Sequence, residues 1–255
     1  MLTSAAGVAQ QPPVFQAGTT SSFVIFLRGT PVGVEQMAVS RTTEGWSILS
    51  TGRMAAPFDV VARKVEVRYT ADWKPIAFNN DTLVRGEFQR VITTVQAATA
   101  TTDITVGTQS TNKTDMIDPA SILLPNVMYG PYEALAAQLR TAAAGSTLPA
   151  YQIPIAPVEI RVVESTTEQI QTTARLINAK RTHVTISTAT PPVDINVWAD
   201  ENGRLMRLTV PAQGLDVART DIASAGTRRS CIPNGLPKGF GGRGVVAKRP
   251  VAENR

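Results

Sequence analysis

The stretch VDINVWADENGRLMRLTV, residues 193–210, decides the fold class of this chain. Asn202-Gly203 at its centre is the strongest short-range signal for a two-residue β-turn, because both central residues of such a turn must reach positive φ. If this turn closes a hairpin, counting outward places a set of apolar residues on one face. They are Ile195, Val197, Ala199, Met206, Leu208 and Val210. A one-residue slip would bury the polar residues of the other face, so the stretch predicts antiparallel β structure with one buried and one hydrated face.

Most of the remaining chain shows the same pattern of short strands joined by turns. Apolar and polar residues alternate along residues 58–69, which is typical of a half-buried strand. Pro125 makes the apolar run 122–129 a loop or an edge strand, because proline cannot donate to a central ladder. The sequence therefore predicts a mainly β fold: a curved antiparallel sheet or open half-barrel with one packed helix.

That helix is predicted at about residues 131–143, with Pro131 in its first turn and an apolar face toward the sheet. Its apolar face continues the run 122–129 into one patch, which is a candidate ligand-binding surface. The candidate ligand-binding residues are Leu124, Val127, Met128, Tyr132, Leu135 and Leu139. Core packing of the helix on the sheet explains this patch most simply. A ligand cavity beneath the helix is the alternative, because pockets favour the mouths of β-barrels.

The net charge of +5 is unevenly distributed along the chain. Residues 227–255 carry seven basic residues and one acidic residue, so the rest of the chain carries a net charge of −1. A near-neutral body predicts no nucleic-acid groove. We expect a single β-rich domain at residues 19–225, followed by a disordered basic tail at 226–255 that is rich in Gly, Pro and Arg.

Residues 1–18 are predicted to be a leader or the remnant of a signal peptide. Gly7 and Ala9, followed by polar residues and prolines, resemble the cleavage-site end of such a peptide. No apolar run approaches the roughly 18–20 residues that span a bilayer. We therefore expect an exported bacterial protein, periplasmic or secreted, without a transmembrane segment.

The sequence offers few groups for catalysis. His183 is the only histidine, so a histidine-dependent general base must use it, and the extended hairpin register places it on the same polar face as Asp194. Such a placement more often marks an ordinary surface histidine on a polar outer face. Asp200 and Glu201 offer oxygen ligands for a weak Ca²⁺ site, although turn chemistry also accounts for them. No other cofactor is predicted, and the single Cys231 excludes a disulfide within the chain.

Three segments have the form of a strand, a polar turn and the next strand: Gly29-Thr-Pro-Val-Gly33, Tyr69-Thr-Ala-Asp-Trp-Lys-Pro75 and Val197-Trp-Ala-Asp-Glu-Asn-Gly-Arg-Leu-Met206. In this pattern, over about residues 20–222, the chain resembles the half-barrel bacterial envelope proteins, which include periplasmic lipoprotein carriers and uncharacterised secreted relatives. The resemblance implies that an acyl chain, a lipid or another hydrophobic small molecule is held between sheet and helix. It assigns no functional residue, and the sequence has no lipobox cysteine.

The leading hypothesis is thus a protein that binds or carries a hydrophobic ligand without covalent chemistry. One alternative is a hydrolase of ester or lactone bonds that uses His183 and Asp194, or a Ca²⁺-activated water on carboxylates such as Asp200 and Glu201. Another alternative is a structural module for interactions in the cell envelope, with no ligand.

Overall fold

The computed structural model describes residues 19–126, 128–187 and 191–222, and within them fifteen strands form one sheet. The first eight strands are β1 Thr19–Leu27, β2 Thr30–Arg41, β3 Gly45–Met54, β4 Val60–Thr70, β5 Pro75–Val84, β6 Glu87–Gln96, β7 Thr99–Val106 and β8 Gln109–Met116. The other seven are β9 Ile122–Pro125, β10 Thr147–Ile153, β11 Ala156–Gln171, β12 Leu176–Ser187, β13 Val193–Ala199, β14 Leu205–Val210 and β15 Leu215–Arg219. The predicted leader at 1–18 and tail at 226–255 lie outside the described residues.

The sheet is open and curved, as predicted. Its strands follow chain order from β8 back to β1, and then from β15 back to β9. The β1–β15 pairing joins the two series, with Phe23 opposite Arg219 and Leu27 opposite Leu215. All neighbouring pairs are antiparallel except β9 and β10, which run parallel. The strands at the two ends of the sheet are therefore β8 and β9.

Strand β9 confirms the interpretation of the Pro125 segment as an edge strand. All four of its residues are buried. The backbone N–H of Leu123 donates a hydrogen bond of 2.9 Å to the hydroxyl of Tyr69 on β4. An edge strand without a second neighbour leaves N–H groups unpaired, and a side chain from the other half of the sheet satisfies this one.

The helix is shorter than predicted. A 3-10 turn at Gly130–Tyr132 leads into α1 at Glu133–Leu139, so the predicted continuation to about residue 143 is wrong. A cation lies at the C-terminal end of the helix. The ammonium of Lys180 donates to the carbonyls of Leu139 at 2.8 Å, Arg140 at 3.1 Å and Ala142 at 3.3 Å. These hydrogen bonds replace the ones that another helical turn would have made. In the described part of the chain, no helix is long and apolar enough to cross a membrane.

The hairpin of β13 and β14 has the predicted register in its middle but not at its turn. Trp198 faces Arg207 as expected, whereas Ala199 faces Leu205 rather than Met206. Of the two central turn residues, only Gly203 has positive φ, at 77°. The N–H of Gly203 donates to the carbonyl of Asp200, and the N–H of Asp200 donates to the carbonyl of Arg204. This is a three-residue loop with a glycine in the left-handed region, not the predicted two-residue turn.

The extra residue changes which side chains are buried together. Leu205 takes the position on the inner face of the sheet, the face that packs against α1 and β9, beside Ala199. Met206 turns to the outer face and packs with Trp198 and Ala179 in a separate small cluster. The assignment of Met206 to the main apolar face is therefore wrong, because a bulge reverses the side-chain alternation beyond it.

Candidate functional site

A cavity of about 290 Å³ lies between β9 and the 3-10 turn on one side and the ends of β12–β15 on the other. Its lining residues come from segments far apart in the sequence. They are Phe58, Leu124, Pro125, Asn126, Tyr129, Tyr132, Gln152, Ile186, Val193, Ile195, Val210, Gln213 and Leu215. This volume lies at the lower end of the range of small-molecule sites, roughly 300–1,000 Å³.

The floor of the cavity is apolar because of strand alternation. Ile186 on β12, Ile195 on β13 and Val210 on β14 are all buried and belong to the main hydrophobic core. Each points to the inner face of the sheet, so the cavity is an extension of the core that protein side chains do not fill. An apolar floor of this kind offers a surface on which an apolar ligand can be buried.

The rim of the cavity is polar but uncharged. The side-chain amide of Gln152 donates to the side-chain carbonyl of Asn126 at 2.9 Å. Gln213 lies in an exposed 3-10 turn between β14 and β15. Among the described residues, no Asp, Glu, Lys, Arg or His lines this cavity. Its hydrogen-bonding groups are therefore carboxamides and phenols.

The two tyrosines form one wall of the cavity. The ring centroids of Tyr129 and Tyr132 are 6.2 Å apart with the planes tilted by 43°. Burial raises the pKa of Tyr132 to about 12. Burial also raises the pKa of Tyr129, assisted by the neighbouring Tyr132 and by the carboxylate of Glu35. Both phenols are therefore neutral across the physiological pH range, as hydrogen-bond donors and acceptors.

The candidate ligand-binding residues divide between the cavity and the core. Leu124 and Tyr132 line the cavity. Met128, Leu135 and Leu139 are fully buried in the hydrophobic core and are not among the lining residues, because α1 packs directly on the sheet. Val127 lies outside the described residues.

Sequence reasoning missed the opposite wall. Alternation predicts a buried face for Ile195 and Val210 but no pocket there, and it predicts that Phe58 begins a strand. Phe58 instead belongs to the connection between β3 and β4. Periodicity shows which face a residue occupies, but a cavity depends on which distant faces meet and on what leaves a gap between them.

His183 and Asp194 are neighbours, although not at the cavity. The Nε2 atom of His183 lies 3.3 Å from Oδ1 of Asp194, and the hydroxyl of Thr185 donates to the same oxygen at 2.8 Å. Hydrogen bonds from Thr185 and then His183 lower the pKa of Asp194. Since Val184 and Ile195 point to the inner face, His183 and Asp194 lie on the outer one, where 28% and 59% of their side chains are exposed. This pair and the cavity are thus on opposite faces of the sheet.

The Asp200–Glu201 segment has the geometry of a turn. Oδ1 of Asp200 accepts hydrogen bonds from the backbone N–H groups of Asn202 at 2.9 Å and Arg204 at 3.0 Å. Its other oxygen lies 3.8 Å from the guanidinium of Arg219. Glu201 is exposed. Among the described residues, no group of three or more His, Cys, Asp or Glu side chains is placed to hold a metal ion.

Two buried carboxylates escaped sequence reasoning. Glu35 on β2 accepts hydrogen bonds from the backbone N–H groups of Tyr129 at 2.9 Å and Gly130 at 2.7 Å. Burial raises its pKa, and these hydrogen bonds oppose the rise. Glu133 on α1 pairs with the guanidinium of Arg204 and accepts the N–H of Leu205 at 2.9 Å. A signal for Glu35 was present, because it is in phase with the buried Met37 and Val39.

No protein-family model matches this chain, and no curated protein sequence matches it. Two solved structures show similarity. One is a DUF1089 family protein from Pseudomonas aeruginosa, with a TM-score of 0.33 and 12% identity over 84% of this chain and 97% of that one. The other is a proposed exported protein with a YmcC-like fold from Bacteroides fragilis, with a TM-score of 0.30 and 13% identity over 80% of this chain and 94% of that one. These values assign neither a family nor a function to this chain, and its resemblance to half-barrel envelope proteins stays a prediction.

Proposed function

We propose that this protein binds or carries a hydrophobic small molecule or lipid chain, non-covalently, in the cavity between the 3-10 turn and strands β12–β15. The observation that carries the proposal is an apolar cavity of about 290 Å³ that opens from the core and has a polar rim. Such a combination of apolar walls with a few hydrogen-bonding groups is typical of ligand sites. Export from a bacterial cytoplasm is part of the proposal and is supported by the N-terminal residue pattern alone.

The driving force for binding is burial of apolar surface. Each methylene transferred from water into the cavity contributes about 0.8 kcal/mol before the costs of association are subtracted. We expect a ligand with one short alkyl chain to bind through burial of that chain, a mechanism in which no group reacts. The outer-face pair of His183 and Asp194 has no place in this mechanism.

The proposal is tested by filling the cavity. We expect Val193→Trp to weaken the binding of 1-octanol at least tenfold in isothermal titration calorimetry, because the indole occupies the space that the alkyl chain needs. Val193 is only partly buried at the end of β13, so the larger side chain can be accommodated without disrupting the core.

The matched control is Val61→Trp. Val61 is 47% exposed on β4 and is not among the lining residues. This variant should bind 1-octanol like the unmodified protein. The proposed site would be refuted if Val193→Trp bound 1-octanol as tightly as Val61→Trp does. It would also be refuted if the unmodified protein did not bind 1-octanol.

A further inference from the structure

The chemistry of the cavity rim restricts the kind of head group that a ligand can carry. Hydrogen-bonding groups at the rim are the carboxamides of Asn126, Gln152 and Gln213 and the phenols of Tyr129 and Tyr132. None of these residue types carries a charge at neutral pH, and buried tyrosines stay protonated there because burial raises the pKa of both. The described lining side chains can therefore donate and accept hydrogen bonds, but they carry no counter-charge.

Two charged residues lie close to lining residues without lining the cavity themselves. Arg28 is exposed, and its backbone N–H donates to the carbonyl of Gly214 at 2.6 Å. Glu35 binds the backbone N–H groups of Tyr129 and Gly130 and is not among the lining residues. The residues that border the cavity in sequence but lie outside the described part, Val127 and Thr188-Ala-Thr190, are uncharged types. An anionic head group placed at this rim would lose its hydration without gaining a cation, and burying an unpaired charge is strongly unfavourable.

A neutral polar head group can bind at this rim without the cost of burying an unpaired charge. An amide or hydroxyl can exchange its hydrogen bonds with water for hydrogen bonds with carboxamides and phenols at little net cost. A site that is built to hydrogen-bond a neutral group also discriminates against ligands that leave its polar groups unpaired. Head-group charge is therefore the property on which this cavity should select.

The size of the cavity limits the chain. At roughly 30 Å³ for each water-sized group, a volume of about 290 Å³ accommodates about ten non-hydrogen atoms. This is the size of a molecule with one alkyl chain of about eight carbons, or of one end of a longer chain. One chain of this size fills the cavity.

On the basis of the proposed function, we infer that the cavity selects ligands with a single alkyl chain and an uncharged, hydrogen-bonding head group over chains that end in a carboxylate or phosphate. Selectivity of this kind follows from the lining residues themselves. It needs no metal, no covalent step and no conformational change.

The experiment compares octanamide with octanoate, which have the same chain and the same number of non-hydrogen atoms. At pH 8 a carboxylic acid is ionised, because the pKa of such a group is about 4. Isothermal titration calorimetry with the full chain should give at least tenfold tighter binding of octanamide. Octanoate binding as tight as octanamide, or tighter, would overturn the inference and leave the proposed function standing. Binding of neither compound would overturn the inference, and the 1-octanol titration would then decide separately on the proposed function.

A second experiment adds a positive charge to the rim of the cavity. Gln213 is exposed at the rim, so Gln213→Lys adds a cation there without entering the core. We expect this variant to bind octanoate at least tenfold more tightly than the unmodified protein does. Gln36→Lys is the matched control, since Gln36 is exposed on β2 and is not among the lining residues. An octanoate affinity that does not change in Gln213→Lys, or that rises equally in both variants, would contradict the inference.

Discussion

At the residue scale, the tightest steric constraint is at Gly45, the first residue of β3. Its φ is 151°, and a Cβ atom there would lie 2.3 Å from both the carbonyl oxygen of Tyr69 and the carbonyl carbon of Thr70. Backbone atoms cannot move aside as a flexible side chain can. We therefore expect Gly45→Ala to lower the free energy of unfolding, measured by urea denaturation, by at least about 3 kcal/mol.

Gly29 provides the control for backbone conformation alone. Its φ is 80°, and no atom lies within 4 Å of the position where a Cβ would be. Gly29→Ala should cost only about 1 kcal/mol, the price of placing alanine in the left-handed region. Similar losses in the two variants would contradict the steric argument. This close approach could not be predicted from the sequence, because it joins Gly45 to residues at the end of β4.

At the element scale, the sequence pattern of the hairpin of β13 and β14 predicts its register but not its turn. Its middle register follows from alternation, and this register places the guanidinium of Arg207 5.2 Å from the Trp198 ring centroid. The turn differs because the carboxylate of Asp200 captures two backbone N–H groups and lengthens the loop. Several loop lengths suit the same residues, and a side-chain hydrogen bond decides between them.

The same hairpin is attached to the helix by a buried ion pair. Glu133 is fully buried and the side chain of Arg204 is 7% exposed. Removing the guanidinium would leave a buried carboxylate without its cation, so Arg204→Met should cost about 3–5 kcal/mol in urea denaturation. Adding Glu133→Gln should restore most of this loss, since the neutral amide still offers an oxygen to the N–H of Leu205.

Arg207→Met tests whether the loss is specific to a buried pair. Arg207 and Asp216 form a two-point ion pair on the outer face, with side chains 39% and 31% exposed. Solvent screens such pairs, so this substitution should cost no more than about 1 kcal/mol. If Arg204→Met cost no more than Arg207→Met, or if the double variant were no more stable than Arg204→Met, the ion pair would not hold the helix to the hairpin.

At the scale of the whole molecule, the segment from β9 to α1 packs on the inner face of the curved sheet. Hydrogen bonds connect it to both series of strands, β1–β8 and β9–β15. Glu35 on β2 holds the start of the 3-10 turn, and Glu133 on α1 holds the turn of the hairpin in the other half. An open curved sheet could be predicted from alternation and turn spacing. The β1–β15 pairing and these two attachments could not, because they join residues that no local pattern relates.

This arrangement makes stability depend on pH through Glu35. Burial raises the pKa of Glu35 above its ordinary value of 4.5, so the folded protein holds a proton that the unfolded chain releases. Stability therefore falls as the pH rises from about 4.5 to the raised pKa, and is constant above it. We expect the difference in unfolding free energy between the unmodified protein and Glu35→Gln to fall over this range in urea denaturation. Asp194→Asn should show no such slope above pH 4.5, because the pKa of Asp194 is lowered. If the difference in unfolding free energy between the unmodified protein and Glu35→Gln did not change with pH, the pKa of Glu35 would be the same in the folded and unfolded protein. That result would contradict the prediction.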